Sequence, residues 1–143
     1  MLVFPLAHKQ QMKEITSDLT NNLHLYELMK DEWKIAEELR DMLKILKDAT
    51  LFFSHGSPSL PDVIPAMDHI DALFTIYCMN PKSNPAICAL ISIAKKTLNY
   101  YYSLTDYSEV YQIAMILHPG YKLEYFKSAG WEQEWIDVAE GLV

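Results

Sequence analysis

The sequence predicts an all-α protein, an irregular bundle of about six or seven helices that forms a single domain over residues 1–143. Apolar residues recur at steps of three and four in successive segments, which is the periodicity of amphipathic helices. No segment alternates apolar and polar residues as a half-buried strand does. Hydrophobic residues make up 50% of the chain and there are only 4 glycines, which favours packed regular structure over disorder.

The net charge and the two cysteines indicate which classes of protein the sequence does not fit. A net charge of -7 argues against a dedicated DNA-binding domain, because neutralising phosphates requires a basic face. Cys78 and Cys88 show neither metal-ligand pairing nor a disulfide framework, so a reducing intracellular setting is expected. Pro5, His8 and Lys9 interrupt the apolar start of the chain, so we expect no signal peptide and no membrane span.

Two helices are predicted in the first part of the chain. The first covers about Lys9–Met29, with a weak point at Asn21 and Asn22, and its inner face is Ile15, Leu19, Leu23, Tyr26 and Met29. The second runs from an N-cap at Asp31 to about Phe53. Its apolar stripe is Trp33, Ala36, Leu39, Leu43, Leu46, Thr50 and Phe53, widened by Met42 and Ile45. We favour packing inside the bundle over a coiled coil, because fewer than four clean heptads are present.

A loop at His55–Ser59 precedes the next pair of helices. Ser59 is the expected N-cap with Asp62 at the third position, and Pro65 predicts a kink or a delayed start. The inner face of this helix is Met67, Ile70, Phe74, Tyr77 and Cys78. Asn84 and Pro85 then resemble an N-cap followed by proline at the first helical position.

The helix over about Ala86–Ser103 has an apolar and a polar side. The predicted inner residues are Ile87, Leu90, Ile91, Ala94, Leu98, Tyr101 and Tyr102, and the predicted outward ones are Lys95, Lys96 and Asn99. Asp106 and Glu109 have the spacing of a capping box for the helix that follows.

The segment Ser108–Phe126 forms a predicted corner between two helices. The apolar side of the first is Val110, Ile113, Ala114, Ile116 and Leu117. Pro119 ends it because proline lacks an amide donor, and Gly120 permits the sharp turn. The second helix ends near Gly130, and a last amphipathic segment contains Trp131, Trp135, Ile136, Val138 and Ala139.

The corner resembles transposases of the hAT superfamily, many of which carry Leu-Asp-Pro-Arg-Tyr-Lys after an apolar helix. The corresponding residues are Leu117, His118, Pro119, Gly120, Tyr121 and Lys122, so four of the six positions match. His118 stands at the acidic position and Gly120 at the basic one, so contacts made by those two residues in relatives are not carried over. The segments Asp31–Ser54, Leu60–Leu73 and Ala129–Glu140 also look like hAT segments of fungal type, and they follow in the expected order.

The resemblance implies the helical insertion region of an RNase H-like transposase domain. In the family, an acidic triad holds two divalent metals that activate water and stabilise the leaving oxygen. The motifs that carry the triad are not in this sequence, so we expect no catalytic residue, no metal ligand and no cofactor, and no enzyme activity of the chain alone. A nuclear setting follows from the same resemblance.

The residues that suit DNA contact are the lysines and tyrosines near two helix ends. They are Lys95, Lys96, Tyr100–Tyr102, Tyr121, Lys122 and Lys127, which pair phosphate-binding charge with rings that stack on bases. The negative net charge of the chain favours the alternative, in which these tyrosines pack in the protein and the lysines only keep its surface soluble. For Asp68, His69 and Asp71 a solvated helix face is favoured over a cation site, since no third ligand has a compatible spacing.

Two functional hypotheses remain at this point. The first is a hAT transposase fragment that positions DNA ends or contributes to assembly. The second is a stand-alone helical module that binds a protein partner, or a second copy of itself, through Trp33–Phe53 or Trp131–Trp135 without contacting nucleic acid. No membrane partner is expected under either hypothesis.

Overall fold

The computed structural model describes residues 2–54 and 60–143, and within these ranges it contains eight α-helices and no strand. The helices are α1 Val3–Ala7, α2 Lys9–Ser17, α3 Lys30–Ser54, α4 Val63–Met79, α5 Pro85–Asp106, α6 Val110–Leu117, α7 Lys122–Ser128 and α8 Gln133–Glu140. Short 3-10 helices lie at Leu19–Asn21, His24–Tyr26 and Leu60–Asp62. The all-α prediction is confirmed, and the predicted loop at His55–Ser59 lies outside the described residues.

The predicted long first helix is wrong beyond Ser17. Asp18 accepts hydrogen bonds from the amide and the hydroxyl of Thr20, and the Asn21 side chain donates to the carbonyl of Ile15 at 3.0 Å. Asn22 is left-handed, with φ 52. These side-chain bonds compete with the helical ladder and end it. The residues predicted as its inner face are exposed: Ile15, Leu19, Leu23, Tyr26 and Met29.

The start of α3 lies earlier than the predicted cap at Asp31. The helix begins at Lys30, and the Glu32 carboxylate accepts the amide of Met29 at 2.7 Å, as the third residue of a capping box does. Lys9 ties the N-terminal helices to α3, because its ammonium lies 3.2 Å from Glu37 and 5.3 Å from the ring centre of the buried Trp33.

The first core lies between α3, α4 and α5. Its buried residues are Ile70, Phe74, Ile87 and Ile91, and α3 covers them with Ile35, Leu39, Met42, Ile45 and Ala49. Part of the stripe predicted for α3 is therefore wrong, since Leu43, Leu46 and Phe53 are exposed. Cys78 is also exposed, contrary to its predicted inner position.

The ends of α4 and α5 follow the local signals in the sequence. Pro65 is the third residue of α4, and the start of this helix at Val63 confirms the predicted delayed start. Backbone amides in the first turn of a helix have no acceptor within the helix, so proline at this position costs no hydrogen bond. The Asn84 side chain accepts the amide of Ala86 at 2.9 Å, and Pro85 is the first residue of α5. The predicted cap and proline at this end are confirmed.

The second core joins α4 to the C-terminal helices. Its buried residues are Ile64, Met115, Phe126 and Ile136. Met115, absent from the predicted apolar side of α6, is fully buried, whereas Val110 and Leu117 are exposed. The predicted capping box does not form in the described structure, because Asp106 is the last residue of α5 and Glu109 makes no side-chain cap bond.

The corner turns differently from the prediction. Gly120 has no left-handed backbone; its amide donates to Nδ1 of His118 at 3.2 Å, and the left-handed residue is Lys122, with φ 50. Gly120 therefore permits close approach of the His118 ring instead of an unusual backbone angle. The predicted helix end near Gly130 is confirmed, and this glycine has φ 75.

Candidate nucleic-acid contacts and uncovered helix faces

Lys95 is half-buried and paired with residues of α4. Its ammonium lies 2.7 Å from Oγ1 of Thr75 and 3.0 Å from Oδ1 of Asp71, both on α4. The prediction that Lys95 points outward is therefore wrong. A lysine that already compensates a carboxylate has less charge to offer a phosphate than an unpaired one.

Tyr121 and Tyr125 each donate a hydrogen bond to an aspartate on or next to α4. The hydroxyl of Tyr121 donates to Oδ1 of Asp62 at 2.7 Å, and that of Tyr125 donates to Oδ2 of Asp68 at 2.6 Å. The hydrogen bond to Asp62 raises the pKa of Tyr121, and partial burial adds to this. Burial raises the pKa of Tyr125, and the hydrogen bond to Asp68 raises it further. Tyr121, the tyrosine of the hAT-like corner, thus holds the corner against the start of α4.

The other three candidate lysines are exposed but do not share one face. Lys127 lies 3.3 Å from Glu124, an exposed pair of the kind that contributes ~0–1 kcal/mol. Lys122 and Lys127 are five residues apart around α7, which separates their directions by about 140°. Lys96 is on a different helix, α5, and has no ion-pair partner among the described residues. The exposed lysines are therefore dispersed.

An acidic, aromatic cleft lies between α4, α5 and α7. It has a volume of about 680 Å³, and its lining includes Asp68, Asp71, Tyr102, Tyr125 and Trp131. No lysine or arginine lines it, so its potential disfavours a phosphate. Asp68 and Asp71 are half-buried and bonded to Tyr125 and Lys95, so the expectation of a solvated face is wrong for them.

Metal binding in the cleft has no support from the arrangement of ligands. Across residues 2–54 and 60–143, no three histidine, cysteine, aspartate or glutamate side chains are grouped so that they could hold a metal ion.

Glu38 connects α3 to α4 and α5, and the sequence analysis did not identify it. Its carboxylate accepts hydrogen bonds from the Tyr77 hydroxyl and, at 3.1 Å, from the Asn84 amide. Desolvation raises the pKa of Tyr77 to about 12, with a further contribution from the bond to Glu38. One carboxylate thus ties α3 to both ends of the α4–α5 turn. Only the fold brings these residues together, because they are about 40 positions apart in the chain.

A long apolar face of α5 has no partner in the described structure. We define the α5 seam as the exposed residues that follow one another at alternating steps of four and three: Ala86, Leu90, Ile93, Thr97, Tyr100, Leu104 and Tyr107. The buried Ile87, Ile91 and Thr105 each follow a seam residue directly in the chain and lie about 100° around α5 from the seam. Leu90 and Tyr101 were predicted to face inward, but they are exposed, so α5 is apolar on two sides.

A second apolar face lies on α3 beside its packed side. We define the α3 outer face as the exposed Leu43, Leu46 and Phe53, which lie within about 80° of one another around the helix. The accessible surface of the chain is 10089 Å², whereas a folded monomer of this mass has about 7,600 Å². The surplus of about 2,500 Å² is on the scale of the contact area of obligate complexes.

The described helices include none with the length and apolarity needed to cross a membrane. No protein-family model, curated protein or solved structure matches the chain. The class of protein that the fold and surface define is therefore an all-α protein with uncovered apolar helix faces.

Proposed function

We propose that the chain is the helical region of a hAT-type transposase and that it serves assembly of that protein. The support from sequence is the corner Leu117–Lys122 together with the hAT-like segments from Asp31 onward. The acidic motifs of the family are missing from these 143 residues, so catalysis belongs to other parts of the transposase. A nuclear setting follows from this proposal.

The observation that carries the assembly role is the surplus of accessible surface. Monomeric proteins rarely leave large contiguous apolar patches uncovered, and such patches mark contact with other polypeptides. Exposed large apolar side chains occur along much of the described chain, and they include neighbouring residues on single helices, in the α3 outer face and the α5 seam. A helical region built to pack against further polypeptide would have this surface.

The α3 outer face is the surface we assign to the RNase H-like core of the transposase. It continues the packed side of α3, so a neighbouring structural layer placed there would extend the existing core. Burying a large apolar side chain contributes about 1.5–3 kcal/mol relative to leaving it exposed. Three such side chains are enough to anchor a neighbouring part of one polypeptide.

Direct DNA contact is a secondary part of the proposal. Its best location is Lys96 with the exposed Tyr100 and Tyr101, whose rings meet edge to face at 5.4 Å. Lysine and two exposed aromatic rings on one helix form a plausible platform for single-stranded bases. The net charge of -7 and the dispersed lysines make assembly the stronger proposal.

The test begins with the genomic DNA on either side of the coding sequence. The proposal expects codons for the missing acidic motifs and terminal inverted repeats. The flanking RNase H-like segment, produced as a separate polypeptide, should then form a complex with this chain. Leu43→Glu and Leu46→Glu should weaken the complex at least tenfold. Val138→Glu is the control, because it also replaces an exposed apolar residue by a carboxylate and lies on α8, away from the α3 outer face.

Two results would count against the hAT proposal. Flanking DNA without acidic motifs would leave the alternative, a stand-alone helical interaction module in an isolated gene. Flanking motifs whose polypeptide does not bind the chain would contradict the assembly role. A salt-dependent titration with single-stranded DNA tests the secondary part, which fails if binding is absent or if Lys96→Ala leaves it unchanged.

A further inference from the structure

The two cysteines of the chain lie opposite each other near the turn that joins α4 to α5. Cys78 is on α4 and Cys88 is on α5, and both are free thiols. Cys78 is exposed, whereas Cys88 is half-buried. Their spacing in the sequence gives no pairing signal, and it is the antiparallel packing of the two helices that brings them together.

The register of α4 against α5 is shown by the ion pair between Asp71 and Lys95. Oδ1 of Asp71 and Nζ of Lys95 lie 3.0 Å apart. Cys78 comes seven residues after Asp71, and Cys88 comes seven residues before Lys95. Seven residues are almost two helical turns, so the direction around the axis changes by only about 20° while the chain advances about 10.5 Å. The same step on both antiparallel helices therefore leads from the ion pair to the two cysteines.

The two thiols are close enough to interact. Desolvation raises the pKa of Cys78, and the hydrogen bond and charge interaction with the Cys88 thiol raise it further, while the charge of Lys95 opposes the shift. Thiols in such contact need only a small movement to reach the S–S bond length of about 2.0 Å. The register and the contact between the thiols thus agree.

Hydrogen bonds at the turn hold this end of the two helices in place. The Ser83 hydroxyl donates to the carbonyl of Tyr77 at 2.6 Å, and the Asn84 amide donates to the Glu38 carboxylate at 3.1 Å. These bonds lie between the two cysteines along the chain or next to them. Two groups that a fold holds together react with each other more readily than two groups on a flexible chain.

We propose that Cys78 and Cys88 are a modification site, at which a small disulfide such as oxidised glutathione converts the two thiols into a disulfide that joins α4 to α5. This proposal goes beyond the proposed function and does not rest on it.

The oxidation consists of two thiol–disulfide exchange steps. The thiolate of the more exposed Cys78 attacks one sulfur of oxidised glutathione, breaks its S–S bond and releases one glutathione thiolate. The Cys88 thiolate then attacks Sγ of Cys78, which forms the protein disulfide and releases the second glutathione thiolate. The two protons of the protein thiols go to the two released thiolates. The protein loses two electrons, and oxidised glutathione gains them.

The raised pKa of Cys78 affects the rate of this reaction and not its equilibrium position at a given redox potential. Because the thiolate is the attacking form, exchange should be slow near neutral pH. The equilibrium between the dithiol and the disulfide is therefore the measurement that reports on the arrangement of the two thiols.

A metal ion shared by the two thiols has no support from their surroundings. A structural zinc site takes four ligands. In the part of the chain that the structure describes, no third histidine, cysteine, aspartate or glutamate completes a metal-binding group with them.

Equilibration of the 143-residue chain with mixtures of reduced and oxidised glutathione tests the proposal. The fraction of disulfide is measured by mass spectrometry after alkylation of the free thiols, both in buffer and in urea that unfolds the chain. The equilibrium constant for disulfide formation should be at least tenfold larger in the folded chain, because the fold holds the thiols together. The oxidised chain should also unfold at a higher urea concentration than the reduced chain.

Met79→Cys in a Cys78→Ser background is the matched control. It moves the thiol by one residue, which turns it about 100° around α4 and hardly changes the length of the closed loop. Met79 is 77% exposed, so the circular dichroism of this variant should match that of the parent. Its equilibrium constant should be about the same in buffer and in urea.

Three results would overturn the proposal. They are equal equilibrium constants for the parent in buffer and in urea, a control that forms its disulfide in buffer as readily as the parent, and oxidation that links two chains through Cys78. Electrophoresis without reductant detects the last of these. None of the measurements involves DNA or the RNase H-like segment, so failure here leaves the proposed function standing, and failure of the proposed function leaves this modification site standing.

Discussion

The hydroxyl of Tyr125 lies 2.6 Å from Oδ2 of Asp68, and this hydrogen bond joins α7 to α4. Four residues earlier, Tyr121 makes the same kind of bond to Asp62, at the residue that precedes α4. The two rings meet edge to face at 5.6 Å. Two successive tyrosines therefore fix the hAT-like corner to the helix that starts the second core.

The Tyr125–Asp68 bond should contribute measurably to stability. A hydrogen bond to a charged group contributes about 1.5–3 kcal/mol, and partial exposure lowers that here. We expect Tyr125→Phe to reduce the free energy of unfolding in urea by about 1–2 kcal/mol. Tyr100→Phe, at an exposed tyrosine, should change it by less than about 0.5 kcal/mol.

A double-mutant cycle with Asp68→Ala, which removes the acceptor, separates the bond from other effects of the substitution. If the bond stabilises the fold as proposed, the two single losses should not add, and their coupling should be about 1 kcal/mol. Purely additive losses would mean that the Tyr125 hydroxyl and the Asp68 carboxylate contribute independently and that the bond between them adds nothing.

The tyrosines bonded to carboxylates predict a loss of stability at alkaline pH. Desolvation, with Glu38 adding to it, raises the pKa of Tyr77 to about 12. Burial, with Asp68 adding to it, raises the pKa values of Tyr102 and Tyr125. A tyrosine in the unfolded chain has a pKa of about 10, so above that pH the folded chain binds more protons than the unfolded chain does. This contribution to stability is complete below about pH 10 and is lost as pH rises through the folded pKa.

The ultraviolet absorbance of tyrosinate measures this directly. The absorbance change of Tyr77, Tyr102 and Tyr125 should occur at higher pH in the folded chain than in the chain unfolded in urea. Tyr77→Phe should reduce this late part of the change in the folded chain. A single transition near pH 10 in the folded chain would contradict the bonded arrangement.

Local signals in the sequence predicted helix ends better than they predicted buried faces. The cap at Asn84 and Pro85 was correct because it depends only on residues that are neighbours in the chain. Ile87 and Leu90 have equal apolar character and lie on the same helix, yet one is buried and the other exposed. The difference is set by where α3 and α4 pack, which periodicity alone does not encode.

The candidate DNA contacts also show that sequence periodicity does not reveal which individual lysines are exposed. Lys95 and Lys96 are adjacent and chemically identical, and no neighbouring residue in the chain distinguishes them. The fold places Lys95 against Asp71 and Thr75, 20 or more residues away, and leaves Lys96 exposed. The acidic partners of Tyr121 and Tyr125 are more than 50 residues away and could not be predicted for the same reason.

Lys95 and Lys96 should therefore respond oppositely in two assays. Lys95→Met leaves Asp71 without its cation, so the free energy of unfolding should fall by about 1 kcal/mol, a value reduced for the partial exposure of the pair. Lys96→Met should change it by less than about 0.5 kcal/mol. Any salt-dependent DNA binding should weaken with Lys96→Met and stay unchanged with Lys95→Met. Equal effects in urea would mean that the Lys95–Asp71 pair is not formed in solution.

The two glycines that flank α7 should also respond differently to alanine. Gly130 has φ 75 and belongs to a Schellman motif, in which the Trp131 amide donates to the Phe126 carbonyl at 3.0 Å and the Gly130 amide donates to that of Lys127. The rings of Trp131 and Phe126 pack 4.7 Å apart across it. An L-residue in this backbone region costs about 1–2 kcal/mol, so Gly130→Ala should destabilise by that amount although the space is open.

Gly120→Ala is the matched comparison, and the sequence alone assigned the special turn to this glycine. Its backbone is not left-handed, and an added Cβ meets only the His118 ring, at 3.3 Å from Cε1. A small rotation of that half-buried ring relieves the contact, and alanine restricts the unfolded chain, so the net change in urea should stay within about 0.5 kcal/mol. A larger loss for Gly120→Ala than for Gly130→Ala would show that the corner, and not the end of α7, is the point in this region where the backbone demands glycine.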